Sequence, residues 1–248
     1  MNRLAAPPSV LLLIPAYNEE ANIGRVLAEV EQAGLVADVL VVDDGSTDRT
    51  GAIAAAAGAN VLSHPSNRGY GAALVSGYGH ALANGYDTVV QLDGDGQHDP
   101  TQVESLLQAL HLSGADMVLG SRMLEGGGHV TSVPRLLGIR CFAWLGRMLL
   151  DRPISDPTSG FAAMNRRAVE FLRIHTPADF PDLNVLIGLH RAGIQVIEVP
   201  AVMRPRVAGT SQLSGMALFV YVPKMLLYIA RAYREKDTAR QRERETSG

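Results

Sequence analysis

The sequence predicts an α/β fold, in which a mostly parallel sheet is covered by helices on both faces. Short apolar runs alternate along the chain with Ala-rich segments of helical length, as expected for successive βαβ units. The runs are nearly continuous in Val, Leu and Ile and do not alternate with polar residues, which is typical of strands that are buried on both faces. We therefore predict one sheet buried between two layers of helices.

The predicted strands follow one another along the chain, at 10–14, 39–42, 89–92, 117–119 and 196–199. An amphipathic segment at 134–150 follows a run of three glycines. The segment 216–230 is strongly apolar, and the charged residues after it have the composition of a disordered tail. We predict one domain over 9–212, then an amphipathic helix and a charged, disordered tail over 213–248.

The composition argues against several classes of protein. The formal net charge is −3 and no long basic block is present, so nucleic acid is not an expected partner. Cys141 is the only cysteine, which excludes an internal disulfide and a zinc site built on several thiolates. No apolar run reaches the roughly 20 residues that a membrane-spanning helix needs, and no secretion signal is visible. We expect a soluble or peripheral protein in a reduced, cytosolic setting.

Polar or glycine-rich residues follow four of the predicted strands at the point where each strand ends. These segments are 17–19, 43–46, 93–96 and 120–122. Open α/β sheets bind their ligands at the carboxyl ends of their strands. The sequence therefore predicts that the four segments converge on one ligand site.

Two carboxylates, Asp93 and Asp95, stand two residues apart just beyond a buried strand. Such oxygen ligands suit Mg²⁺ or Mn²⁺, which substrate phosphates commonly complete, so one or two protein ligands can hold a metal–diphosphate complex. A twelve-residue calcium loop is disfavoured, because His98 stands where that loop needs glycine and because a strand precedes the segment. An acidic surface turn is the remaining alternative.

Adjacent carboxylates also end the second predicted strand, at Asp43 and Asp44. Thr47 or Asp48 could cap a helix that begins near Arg49. Capping does not explain the adjacent pair, which can instead accept hydrogen bonds from a base or a ribose. We therefore favour nucleotide binding over a simple turn.

Two other enzyme classes are disfavoured. The segment 67–71 has glycines that would let the backbone approach a nucleotide, but no G-x-G-x-x-G turn follows the first strand, as a dinucleotide-binding dehydrogenase requires. No histidine stands with a serine or cysteine in a recognisable nucleophile motif, so a hydrolase triad has no support.

Taken together, the chain resembles the family 2 glycosyltransferases of GT-A fold, and most closely the branch of dolichol-phosphate and polyprenyl-phosphate sugar synthases. The resemblance rests on the segments 14–20, 41–46, 67–69, 92–97, 120–122, 156–161 and 206–211. It implies a metal-dependent, inverting enzyme that moves a hexose such as mannose from a GDP- or UDP-linked donor to a polyprenyl or dolichyl phosphate.

The resemblance also assigns roles to individual residues. The donor nucleotide would be held by residues from several strand ends: Pro15, Tyr17, Glu19, Asp44, Arg68, Gly69, Asp93, Arg122 and Arg135. Asp95 and Gln97 would bind Mg²⁺ or Mn²⁺. The catalytic group would be Asp93, Asp95, Asp182 and Arg206, with Asp182 as a general base or an orienting group and Arg206 on the phosphates.

Two departures from the family pattern leave the identity of the acceptor undecided. Asn184 stands where related sequences often carry an acidic residue, and Gln212 stands where lysine is common. The alternatives are transfer to a saccharide hydroxyl in cell-surface glycan synthesis and a non-catalytic nucleotide-sugar sensor.

The expected location follows from the same branch. The segment 216–230 is either a helix lying in the membrane interface or a core helix packed on the sheet, since apolar periodicity does not distinguish the two. We expect a cytoplasmic protein that is peripheral at the inner face of the membrane. A separate membrane protein could serve as its partner.

Overall fold

The computed structural model describes residues 9–125, 127, 136, 140, 143–144, 154–177 and 183–205. These residues contain one seven-stranded sheet. Its strands are Val10–Ala16 (β1), Asp38–Asp43 (β2), Asn60–Ser63 (β3), Thr88–Gln91 (β4), Met117–Ser121 (β5), Ala162–Asn165 (β6) and Val196–Pro200 (β7).

The sheet is mostly parallel, with the strand order β3-β2-β1-β4-β6-β5-β7. β6 runs antiparallel to both of its neighbours, β4 and β5, while the remaining neighbours pair in parallel. Parallel strands end at the same edge of a sheet, so the segments that follow β1, β2, β4 and β5 lie at one edge.

Six α-helices with defined bounds, and one short 3₁₀ helix at Pro100–Gln102, lie between the strands in the described part of the chain. The α-helices are Ile23–Gln32 (α1), Thr50–Ala56 (α2), Tyr70–Ala83 (α3), Val103–Ser113 (α4), Arg166–His175 (α5) and Leu183–Arg191 (α6). Gly114 caps the carboxyl end of α4, and its φ of 67° is in the left-handed region that glycine tolerates. None of the helices in these residues is long and apolar enough to cross a membrane.

Helices cover both faces of the sheet. Alternate β1 residues point to opposite faces, and Leu12 and Ile14 pack with buried residues of α1, α2 and α4. On the other face, Gly77 of α3 lies so close to Leu13 that an added Cβ would clash with the Leu13 side chain. The three β1 side chains have no exposed surface, and each contributes about 1.5–3 kcal/mol through burial.

The predicted fold class is confirmed, and every predicted strand lies in an observed strand except that Leu92 falls just beyond β4. β3 and β6 were not predicted. β3 is short and partly exposed, and the Ala-Ala-Met-Asn sequence of β6 has no β-branched residue to signal a strand. Most of the segment 134–150 and all of 213–248 lie outside the described residues, so their predicted structure stays a prediction.

Candidate active site

The loops that follow β1 and β2 are fastened to each other by hydrogen bonds. Asn18, with a φ of 53°, donates its backbone N–H to the Ser46 hydroxyl at 3.0 Å. Its side-chain oxygen accepts the Thr47 N–H at 2.8 Å. The Glu19 N–H donates to the Thr50 hydroxyl at 2.8 Å. Glu19, a predicted nucleotide-binding residue, and its neighbour Asn18 are thereby fixed against the segment that follows β2.

Asp44 links the end of β2 to the loop that precedes α3. Its buried carboxylate accepts the backbone N–H groups of Arg68 (3.0 and 3.1 Å) and Gly69 (2.8 Å). Its Oδ1 atom is also 2.6 Å from Nδ1 of His64. Asp44 therefore orders the segment that contains two further predicted nucleotide-binding residues. Its own contact with a nucleoside stays a prediction.

Ser76, His64 and Asp44 are joined by hydrogen bonds in the structure, an arrangement that no sequence motif indicated. Nε2 of His64 is 2.9 Å from the Ser76 hydroxyl, and its Nδ1 faces Asp44. Ser76 lies within α3 and not at the strand-to-helix turn that exposes a hydrolase nucleophile. We interpret the three side chains, of which Asp44 and His64 are buried, as a link between the ends of β2 and β3 and the helix α3.

Asp93 stands just beyond β4, and three groups surround its carboxylate. The Tyr70 hydroxyl donates to Oδ1 at 2.9 Å. Nε2 of His98 is 3.7 Å from Oδ2, while Nδ1 of His98 accepts the Asp93 backbone N–H at 3.0 Å. Gly160 lies against the same carboxylate, because an added Cβ would be 3.0 Å from Oδ2. The side chain of Asp93 is 29% exposed. Asp93 is thus held from several sides and still reaches the surface.

Asp95 and Gln97 lie in the tight turn after Asp93. Oδ1 of Asp95 accepts the Gln97 N–H at 2.9 Å, and Asp95 is only 4% exposed. Among the described residues, no group of three or more His, Cys, Asp or Glu side chains could hold a metal ion by itself. One carboxylate and one amide oxygen fit a hard divalent cation that a diphosphate completes. Their assignment as metal ligands stays a prediction.

Arg204 fastens the segment after β7 to this turn. Its N–H donates to the Gln97 carbonyl at 2.8 Å, and its own carbonyl accepts Nε2 of Gln97 at 3.3 Å. Its guanidinium pairs with Asp99 at 2.8 Å and with Glu29 at 2.7 Å. Burial alone would raise the pKa of Asp99, but hydrogen bonds from Thr101 and the charge of Arg204 together hold it below its usual value. No sequence signal pointed to Arg204.

Arg122, at the end of β5, forms a buried ion pair. Its Nε and Nη2 atoms contact the two carboxylate oxygens of Asp156 at 2.6 and 2.7 Å. Nη2 also donates to the Thr158 hydroxyl at 2.9 Å. Glu198 of β7 accepts the backbone N–H groups of Ser155 and Asp156, and so anchors the same loop. Arg122 thus supports this loop, and its predicted contact with phosphates stays a prediction.

The described structure brings most of the predicted site residues to one edge of the sheet. Those residues are Pro15, Tyr17, Glu19, Asp44, Arg68, Gly69, Asp93, Asp95, Gln97 and Arg122. Pro15 itself is the penultimate residue of β1 and pairs with Val42. Arg135, Asp182 and Arg206 lie outside the described residues, so their predicted roles remain predictions.

Comparison with known proteins agrees with this arrangement. The model of the family described as glycosyl transferase family 2 matches residues 11–173. The polyprenol monophosphomannose synthase of Mycolicibacterium smegmatis is 36% identical over 83% of this chain and 81% of its own. The undecaprenyl-phosphate mannosyltransferase of Micrococcus luteus is 33% identical over 83% of this chain and 88% of its own.

A solved structure shares the fold. It is a complex of glucosyl-3-phosphoglycerate synthase from Mycobacterium tuberculosis with Mn²⁺, uridine-diphosphate-glucose and phosphoglyceric acid. The TM-score is 0.64 at 26% identity, over 82% of this chain and 73% of that one. The predicted GT-A fold is therefore confirmed.

Proposed function

The chain belongs to glycosyl transferase family 2, and from this membership we propose that it transfers a hexose from a nucleotide-diphosphate sugar to a polyprenyl phosphate. The observation that carries the proposal is the position of Asp93, Asp95 and Gln97 together at the carboxyl edge of the sheet, beside the ordered loops of β1 and β2. This arrangement suits a ligand with a nucleoside at one end and a diphosphate at the other.

The nucleoside end would lie against the first two loops. Tyr17 and Glu19 follow β1. Asp44, whose backbone N–H donates to the Ala16 carbonyl of β1, holds the backbone of Arg68 and Gly69. Gly69, with a φ of 97°, directly precedes α3 and has no side chain, so that a nucleotide can approach the backbone there. The base would be guanine or uracil.

The diphosphate end would meet the turn after β4. Asp95 and Gln97 would hold Mg²⁺ or Mn²⁺, which would neutralise charge that develops on the leaving diphosphate. Mn²⁺ in the related synthase complex supports a divalent metal. Asp93 would bind the donor, and Arg206, Arg122 and Arg135 are the residues proposed to meet phosphates.

Transfer to a phosphate acceptor needs no strong base. A phosphate monoester has a second pKa of about 6, so near neutral pH most of it is the dianion. A phosphate oxygen would attack the anomeric carbon, the bond from that carbon to the diphosphate would break, and the nucleoside diphosphate would leave with the electron pair. A single displacement inverts the anomeric centre. Asp182 would then orient the acceptor.

The polyprenyl phosphate is proposed because both mannosyl-transferring relatives described above are named for a prenyl-linked product or acceptor. On the same ground we propose mannose as the hexose and a peripheral position at the inner face of the membrane, with a separate membrane protein as a possible partner. A soluble acceptor is the second candidate, because the structurally similar synthase was solved with phosphoglyceric acid. A saccharide hydroxyl is the third.

The test is a transfer assay with separated products. The protein is incubated with Mn²⁺ and labelled GDP-mannose or UDP-glucose, together with undecaprenyl phosphate in liposomes, phosphoglyceric acid or a set of soluble saccharides. We expect label in the organic extract only when the liposomes carry the lipid phosphate. A labelled product other than the donor that is found only in the aqueous phase would replace the lipid acceptor with a soluble one. Nucleotide-sugar binding without turnover on any acceptor would favour a sensor.

A further inference from the structure

Four side chains form a continuous row of hydrogen bonds that leads from the interior to Asp93. The Tyr78 hydroxyl donates to Oε1 of Gln91, Nε2 of Gln91 donates to the Tyr70 hydroxyl, and the Tyr70 hydroxyl donates to Oδ1 of Asp93. Each of the three donor–acceptor distances is 2.9 Å. The row joins β4 to α3, which begins at Tyr70.

Only one polarity of this row satisfies every member. A carboxylate only accepts, so Tyr70 must donate to Asp93 and its oxygen must accept from Gln91. Gln91 must therefore present its NH₂ group to Tyr70 and its carbonyl oxygen to Tyr78. Burial raises the pKa of Tyr78, so its hydroxyl keeps its proton and remains a donor. The donor direction is therefore the same along the whole row, from Tyr78 to Asp93.

The row is more exposed at its Asp93 end than at its Tyr78 end. Tyr78 is 3% exposed and Gln91 is 6% exposed, whereas the side chain of Asp93 is 29% exposed. Gly160 lies next to the same carboxylate, since an added Cβ would be 3.1 Å from its Oδ1 atom. The polar row is rooted in the core and ends at the candidate site.

We propose that Tyr70, supported by Gln91 and Tyr78, is a positioning residue that orients the Asp93 carboxylate for the sugar-nucleotide donor. The inference rests on the proposed function and deepens it. A carboxylate fixed before the ligand arrives loses little side-chain freedom on binding, and therefore binds more tightly than a mobile one. None of the three supporting side chains needs to touch the donor for this effect.

Substitutions along the row distinguish positioning from simple structural support. Tyr70→Phe removes only the hydroxyl that contacts Asp93, so we expect donor affinity to fall roughly tenfold with little change in melting temperature. Tyr78→Phe leaves a buried carbonyl oxygen of Gln91 without its donor, so we expect a lower melting temperature and a less than threefold change in affinity. The effect on affinity should therefore decrease along the row while the effect on stability increases.

Binding is measured by calorimetry with GDP-mannose and UDP-glucose in the presence of Mn²⁺, and unfolding is followed for the same preparations. Asp93→Asn is combined with Tyr70→Phe in a double-mutant cycle, and we expect the second change to add less than twofold to the first. If the loss of donor affinity is proportional to the loss of melting temperature across the variants, the inference is overturned. Unchanged donor affinity in Tyr70→Phe would also overturn it. If the unmodified protein binds neither donor, the proposed function fails as well.

Discussion

The guanidinium of Arg122 and the carboxylate of Asp156 form a bidentate ion pair that is almost fully buried. The two side chains are 4% and 0% exposed, and the Asp156 carboxylate also accepts the Arg122 backbone N–H at 3.1 Å. A buried charge is costly without its partner, so the two residues depend on each other. The pair attaches the loop that contains Gly160, and hence one wall of the site around Asp93, to the end of β5.

Asp156→Ala should therefore destabilise the protein strongly. We expect a loss of about 3–5 kcal/mol in the free energy of unfolding, because the Arg122 guanidinium would stay buried without its counter-charge. Urea unfolding provides the measurement. Arg166→Ala is the matched control: it breaks an exposed ion pair with Glu170 and should cost less than about 1 kcal/mol. Equal losses of unfolding free energy in the two variants would contradict the claim that the buried ion pair stabilises the protein more than the exposed one.

Gly160→Ala should impair the site more than the fold. The new methyl group would lie 3.0 and 3.1 Å from the two Asp93 carboxylate oxygens and 2.9 Å from the Tyr70 hydroxyl, so the hydrogen-bonded pair must shift. We expect the KM for the donor to rise roughly tenfold, as one displaced hydrogen bond to a charged group would imply. Gly79→Ala is the control, because its Cβ meets nothing nearer than 3.6 Å. Steady-state kinetics that are the same for both variants would contradict the contact.

Asp95→Asn should remove metal-dependent donor binding and leave the fold nearly intact. A neutral amide is a poorer ligand for Mn²⁺ than a carboxylate, and this side chain serves a loop and not the core. Titration of Mn²⁺ in the presence of a nucleoside diphosphate, followed by electron paramagnetic resonance, measures the affinity directly. Glu104→Gln, on the exposed surface of α4, removes the same charge elsewhere. Parent-like Mn²⁺ affinity in Asp95→Asn would exclude Asp95 as a ligand.

Low pH should weaken the hydrogen bonds and the ion pair that Asp99 forms with Thr101 and Arg204. Its folded-state pKa lies below the ordinary value of 3.8, so its stabilising contribution is complete above that value and is lost as the pH falls through the folded pKa. We expect the melting temperature of the parent protein to fall more steeply below about pH 4 than that of Asp99→Asn. Arg204→Gln should lessen the acid dependence in the same way, since it removes the cation that favours the charged carboxylate. Parallel pH profiles for all three proteins would show that the pair contributes nothing.

The position of Asp93 and Asp95 could be predicted because it depends on local pattern. A buried apolar run followed by carboxylates and glycines indicates a strand end whatever the rest of the chain does. The partners of these residues could not be predicted in the same way. Glu29 and Arg204 are 175 positions apart, and only the folded sheet brings α1 and the segment after β7 to the same turn.

Asp44 illustrates a second limit of the sequence. Its place at the end of β2 was predictable, but its carboxylate is engaged by His64 and by two backbone N–H groups. A backbone N–H is present at nearly every position and so leaves no mark in the sequence. The strand β6 shows the same limit, since its Ala and Met residues form a strand through pairing on both sides and not through propensity.

The antiparallel strand β6 has a consequence for how the protein is made. During synthesis β5 leaves the ribosome before β6 and β7, which are its partners in the finished sheet. Until residues 162–165 emerge, the growing chain carries β5 unpaired and the edge of β4 open, and open apolar edges invite association with other chains. We expect nascent chains that stop between β5 and β6 to be held by chaperones or to aggregate, whereas chains that extend past β7 would complete the sheet.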